Sequence, residues 1–365
     1  MAKKNNRKKR KIVSRTLSKR IIYRDDAPVF KFIDPNNNDK LSEMSGLDLQ
    51  DLMILIDDYY IKLRNQLGFG DNITFGFEIE FEHAMTKKIY NKLYSVFPNN
   101  TWIIKGDGSL EEGAEINSPI LKDKIETWED LNRVCSIVEP LAYINDRSGG
   151  HIHVGTQALG NNRDSWLNFL KIWSTYENII FRFTYGNYLT ARPVMQRYSE
   201  PMTKDFWRFY EKLKSMNADL NTVINTISNT KYQAVNVNNV SRKKTSNYSP
   251  NNTIEFRCPN GSLDPAIWQN NVNLFVNLLC YSKSSSFNDD LVEKRHQINN
   301  DRFSGLDYYD EIYLDQALEL CDMVFSNNFD KVYFLRQYLK SFKVRNDNSY
   351  KKSLKFTKKG IKKVV

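Results

Sequence analysis

The sequence predicts an α+β fold in which one sheet is backed by helices, and three observations support this. Short runs that alternate polar and apolar residues, the period of a strand, fall between about residues 73 and 258. Longer stretches with apolar residues three and four apart, the period of a helix, lie between those runs and continue after them. No self-similarity appears at a period of roughly 20–50 residues, so the chain is not a repeat array. Strands concentrated in one region and interleaved with helices form an α+β body.

In chain order, "LDLQDLMILIDDYYIKL" (47–63) has helical spacing, a strand follows over 73–83, and a helix over 86–97. "TWIIKGDGSL" and "GAEINSP" are short extended pieces, and a helix covers about 126–144, with Pro140 expected to kink it. "GGHIHVG" is extended again. "RDSWLNFLKIWSTYENIIFRFT" (163–184) is a long aromatic helix, with further helices over about 204–227. "YQAVNVNNV" and "NTIEFRCPNG" are expected to pair as strands across the polar loop "SRKKTSNYSP", and helical patterns fill 264–343. The corresponding domains are a basic, largely disordered tail (1–45), a catalytic domain (46–285), a helical C-terminal extension packed on it (286–345) and a basic C-terminal tail (346–365).

At 365 residues, 41% hydrophobic and 13% aromatic, the chain can bury a large core. No apolar run reaches the roughly 18 residues of a membrane span, so no membrane partner is expected. The N-terminus is basic without an apolar segment, which does not fit a secretory signal. Cys135, Cys258, Cys280 and Cys321 are far apart, with neither zinc nor disulfide spacing, and a reducing cytoplasm is the expected setting. The net charge of +10 is unevenly spread: residues 1–20 hold ten Lys/Arg and residues 351–365 seven Lys, with no acid in either. Without them, 36 basic residues face 43 acidic ones. The body is therefore acidic and the tails are basic, which suits solvated tails or nonspecific polyanion contact.

Three triplets point to chemistry. "FGFEIEF" sets Glu78 and Glu80 two apart, with Phe77, Ile79 and Phe81 on the other face of the strand. "GGHIHVG" does the same with His151 and His153, and "NTIEFRC" with Glu255 and Arg257. Two carboxylates side by side repel unless something positive lies between them. Asp107 in a turn and Glu115 in "GAEI" add two further acids, whereas Glu111 and Glu112 belong at a solvated hairpin tip. Several carboxylates with one or two imidazoles form a hard-cation set, suited to Mg²⁺ or Mn²⁺, and the absence of thiolate argues against structural zinc. Multiple cations suggest phosphate to be neutralised. The chain has no GxxxxGK[ST] loop, so a phosphate donor would be held by metal and by arginines such as Arg192, Arg197 and Arg257.

In order, "FGFEIEF", "DGSL…GAEINSPIL", "GGHIHVG", "RYSEP", "KYQAVNV" and "TIEFRCPNGSLDP" resemble the amidoligases. These are carboxylate–amine ligases of the glutamine synthetase and glutamate–cysteine ligase superfamily, and the match runs from about 73 to 285. The resemblance implies a glutamine-synthetase-like catalytic domain, a mainly antiparallel sheet curved into a partial barrel around two or three Mg²⁺ or Mn²⁺ ions and backed by helices. It also implies an ATP-dependent reaction through an acyl phosphate, which an amine displaces to form an amide. By position, Glu78, Glu80, Asp107, Glu115, His151 and Glu255 match metal ligands. His153 matches the residue facing nucleotide or substrate, and Arg197 and Arg257 match arginines on phosphoryl charge. Lys231, Tyr232 and Asn236 fall in a matching stretch with no assigned role, and Ser199 stands where the family pattern has a cysteine.

Two other readings stay open. An HxH pair with carboxylates also suits a metal-dependent hydrolase, although it has more acids and arginines than water activation needs. A nucleic-acid-binding protein acting through its tails would lose that binding with the tails. The substrates, an amino acid, a peptide or a cell-wall fragment, are not named by the sequence.

Overall fold

The computed structural model of the chain describes residues 33–57, 61–99, 101–186, 195–228, 230–240, 252–302 and 311–339. Residues 1–32 and 340–365, which hold nearly all of the basic tails, lie outside the described residues, as do Arg192 and nearly all of the loop 241–252. The elements are α1 (Gly46–Asp57), β1 (Phe75–Phe81), α2 (Thr86–Val96), β2 (Ile103–Lys105), β3 (Ala114–Asn117), α3 (Ile125–Val138) and β4 (Gly150–Gly155). They continue with α4 (Arg163–Thr184), α5 (Met195–Tyr198), α6 (Thr203–Ser215), α7 (Leu220–Ile227), β5 (Val235–Asn236) and β6 (Thr253–Phe256). Four helices follow: α8 (Pro265–Ser282), α9 (Asp289–Arg302), α10 (Glu311–Val324) and α11 (Asn328–Leu339).

The strands form one six-stranded sheet in the order β2-β3-β1-β4-β6-β5, with every neighbouring pair antiparallel. Among the described residues it does not close, and β2 and β5 are its edges. The fold is thus α+β with an antiparallel sheet backed by helices. Alternation gives the sheet one apolar face, where Phe75, Phe77, Ile79, Phe81, Ile116, Ile152, Val154, Ile254 and Phe256 are all buried. Aromatic contacts seat this face on the helices. Phe75 stacks on Trp128 of α3 at 5.2 Å, Phe77 meets Trp268 of α8 edge-on at 5.4 Å, and Phe256 stacks on Phe275 of α8 at 4.1 Å. The approach of β4 to α8 requires a glycine at 150: a Cβ there would lie 2.5 Å from a ring carbon of Trp268.

Three expectations change. The helix foreseen over 47–63 is observed over Gly46–Asp57, and residues 61–63 are not helical. The helix foreseen over 126–144 ends at Val138, so Pro140 follows its end instead of kinking it. Residues beyond it turn back to the sheet, where Tyr143 exchanges both backbone hydrogen bonds with Glu82, at 2.9 and 3.2 Å. Residues 33–45, foreseen as the end of a disordered tail, are instead bound to α10 and α11. Ile33 and Leu41 are buried, Asp322 accepts from the N–H groups of Leu41 and Ser42 at 3.1 and 2.9 Å, and the Asn328 N–H donates to the Asn37 carbonyl at 2.7 Å. The segment's polar composition looks disordered in sequence because its partners lie nearly 300 residues away.

The C-terminal helices share the core of the sheet's backing layer. Lys171 of α4 is buried against Asp289 and Glu293 of α9, Tyr176 of α4 donates to Glu319 of α10, and Asn270 of α8 donates to the Tyr333 carbonyl of α11 at 3.0 Å. Among the described residues no helix is long and apolar enough to cross a membrane, and no disulfide joins any of the four cysteines.

His296 of α9 lies flat on Trp207 of α6, ring centroids 3.6 Å apart, and burial there lowers its pKa to about 4 despite the nearby Glu293 charge. A depressed histidine favours the neutral form in the folded state, so its contribution to stability is complete above the unfolded value of about 6.5 and is lost as pH falls towards 4. Because the ring is half-exposed, the loss expected is about 1–2 kcal/mol. Thermal melts of the parent and of His296→Phe at pH 7 and pH 4.5 check this: the variant should lose less stability on acidification, and equal losses would contradict the assignment.

Candidate functional site

The polar face of the sheet gathers the ionisable triplets. Residues directly opposite one another on paired strands share a face. Glu78 lies opposite His151 of β4 and Asn117 of β3, and Glu80 lies opposite Glu115. His153 lies opposite Glu255 of β6, which lies opposite Asn236 of β5. Four of the six strands thus place Glu78, Glu80, Glu115, His151, His153 and Glu255 on one surface.

What lies between Glu78 and Glu80 is an imidazole. His151 Nδ1 donates to Glu78 Oε2 at 2.7 Å, and its Nε2 is 3.6 Å from Glu80 Oε1. His153 Nε2 donates to the other Glu78 oxygen at 3.0 Å, while its Nδ1 lies 3.1 Å from the Thr253 hydroxyl. Glu80 is buried and accepts from the Gly149 N–H at 2.5 Å. Asn117 Nδ2 donates to Glu115 Oε1 at 2.6 Å, and Asn236 Nδ2 to Glu255 Oε2 at 2.6 Å. Arg257 pairs with Glu255 Oε1 and donates from Nε to the Tyr198 carbonyl at 3.1 Å, which fixes the plane of its guanidinium.

The two carboxyls at the centre respond in opposite directions. Burial pushes Glu78 up, but the hydrogen bonds and charges of His151 and His153 outweigh it and hold the group well below the usual carboxylate range. Glu115 has no such partner: burial and then the Glu78 charge raise it to about 7, with only partial relief from Asn117 and His151. His153 is raised, because the bond to Glu78 and the Glu255 charge outweigh its burial. The ensemble is short of positive charge.

Donor chemistry and spacing fit divalent cations. Ligand atoms lie within 4.8 Å of one another in three groups: Glu78, Glu115 and His151; Glu78, His153 and Glu255; and Glu80, Asp107 and Glu115. These are carboxylate oxygens and imidazole nitrogens with no sulfur, the set expected for Mg²⁺ or Mn²⁺.

The structure therefore brings together all six acids and histidines singled out as metal ligands, with His153 and Arg257 beside them. Asp107 joins from the loop before β3, its carboxylate accepting from the Ser109 N–H at 2.6 Å. Arg197 is exposed on α5, its guanidinium 5.2 Å from the Tyr198 ring and one residue from the carbonyl that holds Arg257. Arg192 lies outside the described residues. Glu111 and Glu112 are exposed, as a hairpin tip requires. Ser199 is buried, with no hydrogen bond to its hydroxyl among the described residues, a site that a thiol would fill as well. Two polar groups escaped the sequence reading: Asn117, and the contact of Asn236 with Glu255. Both lie two residues from another polar position, Asn117 after Glu115 and Asn236 before Asn238, so the alternation that picked out the glutamates could have picked them out too. Beside the centre lies a cavity of about 350 Å³, lined among others by Glu78, His153, Thr253, Asn117, Ser118 and Lys105.

No curated protein matches the sequence. Among solved structures, one described as a novel glutamine synthase homologue is similar at 11% identity and a TM-score of 0.36, over 80% of this chain and 71% of its own. The family described as "Putative amidoligase enzyme" matches residues 40–279, well over half of the sequence whose strands build this face, and the chain belongs to that family.

Proposed function

We propose that the chain is an ATP-dependent carboxylate–amine ligase that forms an amide bond through an acyl phosphate. The observation behind this reading is the convergence of five carboxylates and two imidazoles into three overlapping donor groups, with Arg257 fixed at their edge. In it, Glu78, Glu80, Asp107, Glu115, His151 and Glu255 hold two or three Mg²⁺ or Mn²⁺ ions. Bound there, the cations would neutralise the triphosphate and the charge that develops on the transferring phosphoryl group. Arg257 and Arg197 contact phosphate oxygens, and a planar, forked donor set suits that task. His153, which lines the 350 Å³ cavity, faces nucleotide or substrate there. A carboxylate and an amine, from an amino acid, a peptide or a cell-wall fragment, are the partners. Four cysteines that form no disulfide among the described residues suit a reducing compartment such as the cytoplasm.

An ADP-release screen across carboxylate–amine pairs, with Mg²⁺ and with Mn²⁺, tests the reading. ADP should appear only when both substrates and a divalent cation are present, in step with amide product. Amide or ester cleavage without nucleotide consumption would favour a metal-dependent hydrolase instead.

A further inference from the structure

We propose that Glu82 and Arg147, which belong to neither the metal-binding nor the phosphate-binding set, are positioning residues that hold Asp107 in register with Glu80 and Glu115. The inference rests on the metal reading above and concerns how one of its three donor groups is assembled. Glu80 and Glu115 face each other on paired strands and are fixed by the sheet. Asp107 comes from a loop, and nothing in the ladder fixes it.

Glu82 supplies the missing constraint. It follows the last residue of β1, its side chain is 1% exposed, and both of its oxygens are spent on the loop. Oε1 accepts from the Glu111 N–H and Oε2 from the Glu112 N–H, each at 3.0 Å. An acid this deeply buried is costly unless its charge is compensated. Arg147 compensates it, with Nε 3.7 Å from Glu82 Oε1, while Nη2 donates to the Ser109 carbonyl at 2.9 Å and Nη1 pairs with Glu111. The guanidinium therefore grips both ends of the loop segment that follows Asp107. Gly113 lets the loop descend onto the strand: a Cβ there would sit 2.1 Å from the Phe81 carbonyl oxygen and 2.9 Å from a Glu82 oxygen.

The same turn reaches the other side of the donor group. Asn145 Oδ1 accepts from the Arg147 and Ser148 N–H groups at 2.9 and 3.2 Å, and two residues after Arg147 the Gly149 N–H donates to Glu80. One turn thus orients Glu80 directly and Asp107 through the loop. Outer partners of this kind alter metal affinity by about 10–100-fold when removed.

Mn²⁺ titration of the chelator-stripped full chain, followed by electron paramagnetic resonance, tests the clamp. Glu82→Gln keeps the volume but turns an amide NH₂ towards a backbone N–H, and Arg147→Met removes the grip at a side chain that is 38% exposed. Each is expected to weaken one Mn²⁺ equivalent at least about tenfold and leave the others within about twofold. Asp107→Asn should remove the same equivalent, and combining it with Glu82→Gln should add nothing further. A general structural defect would weaken all equivalents together, and that result would overturn the proposal. So would multiplying effects in the double variant, or parent-like titrations of both clamp variants. If Glu82→Gln does not fold, Arg147→Met decides alone. A parent chain that binds no Mn²⁺ would overturn the metal reading itself, whereas a parent whose equivalents are unmoved by the variants would overturn only the clamp.

Discussion

Replacing Glu80 with glutamine is expected to lower turnover at least about a hundredfold while leaving the protein folded, the scale seen when charge stabilisation of a transition state is removed. The side chain is buried, and a glutamine oxygen can still accept from the Gly149 N–H, so the local backbone keeps its partner. What disappears is one negative charge beside Glu115, whose carboxyl burial and the Glu78 charge already push up to about 7, Glu80 adding to them. Thermal stability of the metal-free protein should hold or rise, because like-charge repulsion is relieved. Glu255→Gln should cost similar activity, but it is the less clean change, since Arg257 would lose its charged partner. Glu112→Gln is the matched control: its carboxylate is exposed and, among the described residues, meets His83 at 3.2 Å, so turnover should stay near the parent's. Steady-state rates and metal affinities of the three variants settle the matter. If Glu80→Gln and Glu112→Gln behave alike in both, the convergent site is wrong.

ATP binding is expected to depend on the divalent cation by at least about a hundredfold in affinity. The polar face presents five carboxylates to a ligand that itself carries about four negative charges near neutral pH. A single uncompensated charge pair about 4 Å apart is worth roughly 4 kcal/mol at an effective dielectric near 20, and a hundredfold change needs only about 2.7 kcal/mol. Arg257 cannot supply the difference alone, because Glu255 already neutralises much of its charge. Calorimetric titration with ATP in Mg²⁺ and in EDTA measures the ratio directly, and equal affinities would sink the metal-bridged site.

Much of this site could be read from the sequence because its rule is local. Strand side chains alternate between faces, so "FGFEIEF" alone requires Glu78 and Glu80 to share a surface, "GGHIHVG" requires the same of His151 and His153, and "TIEFRC" of Glu255 and Arg257. The apolar residues between them require helices on the opposite face, and helical spacing supplied the helices, down to the limits of 163–184. The donor types, carboxylate and imidazole without thiolate, pointed to a hard cation, and the resemblance added the ATP-dependent amide-forming reaction, which alternation cannot specify.

Register and neighbourhood came only from the tertiary structure. No local rule states that Glu78 meets both histidines, across 73 and 75 residues of chain, or that Glu115 faces Glu80 and not Glu78. Those pairings follow from how the apolar face settles on Trp128, Trp268 and Phe275, and a slip of one residue would turn every carboxylate into the core. The loop carrying Asp107 has no periodicity at all, and its placement depends on the buried Glu82 and the partly exposed Arg147, a charge pair assembled from distant segments. Residues 33–45 looked disordered for the same reason: their partners, Asp322 and Asn328, are on helices at the far end of the chain. Short-range alternation therefore fixed which residues share a surface, while packing between distant segments decided which of them touch.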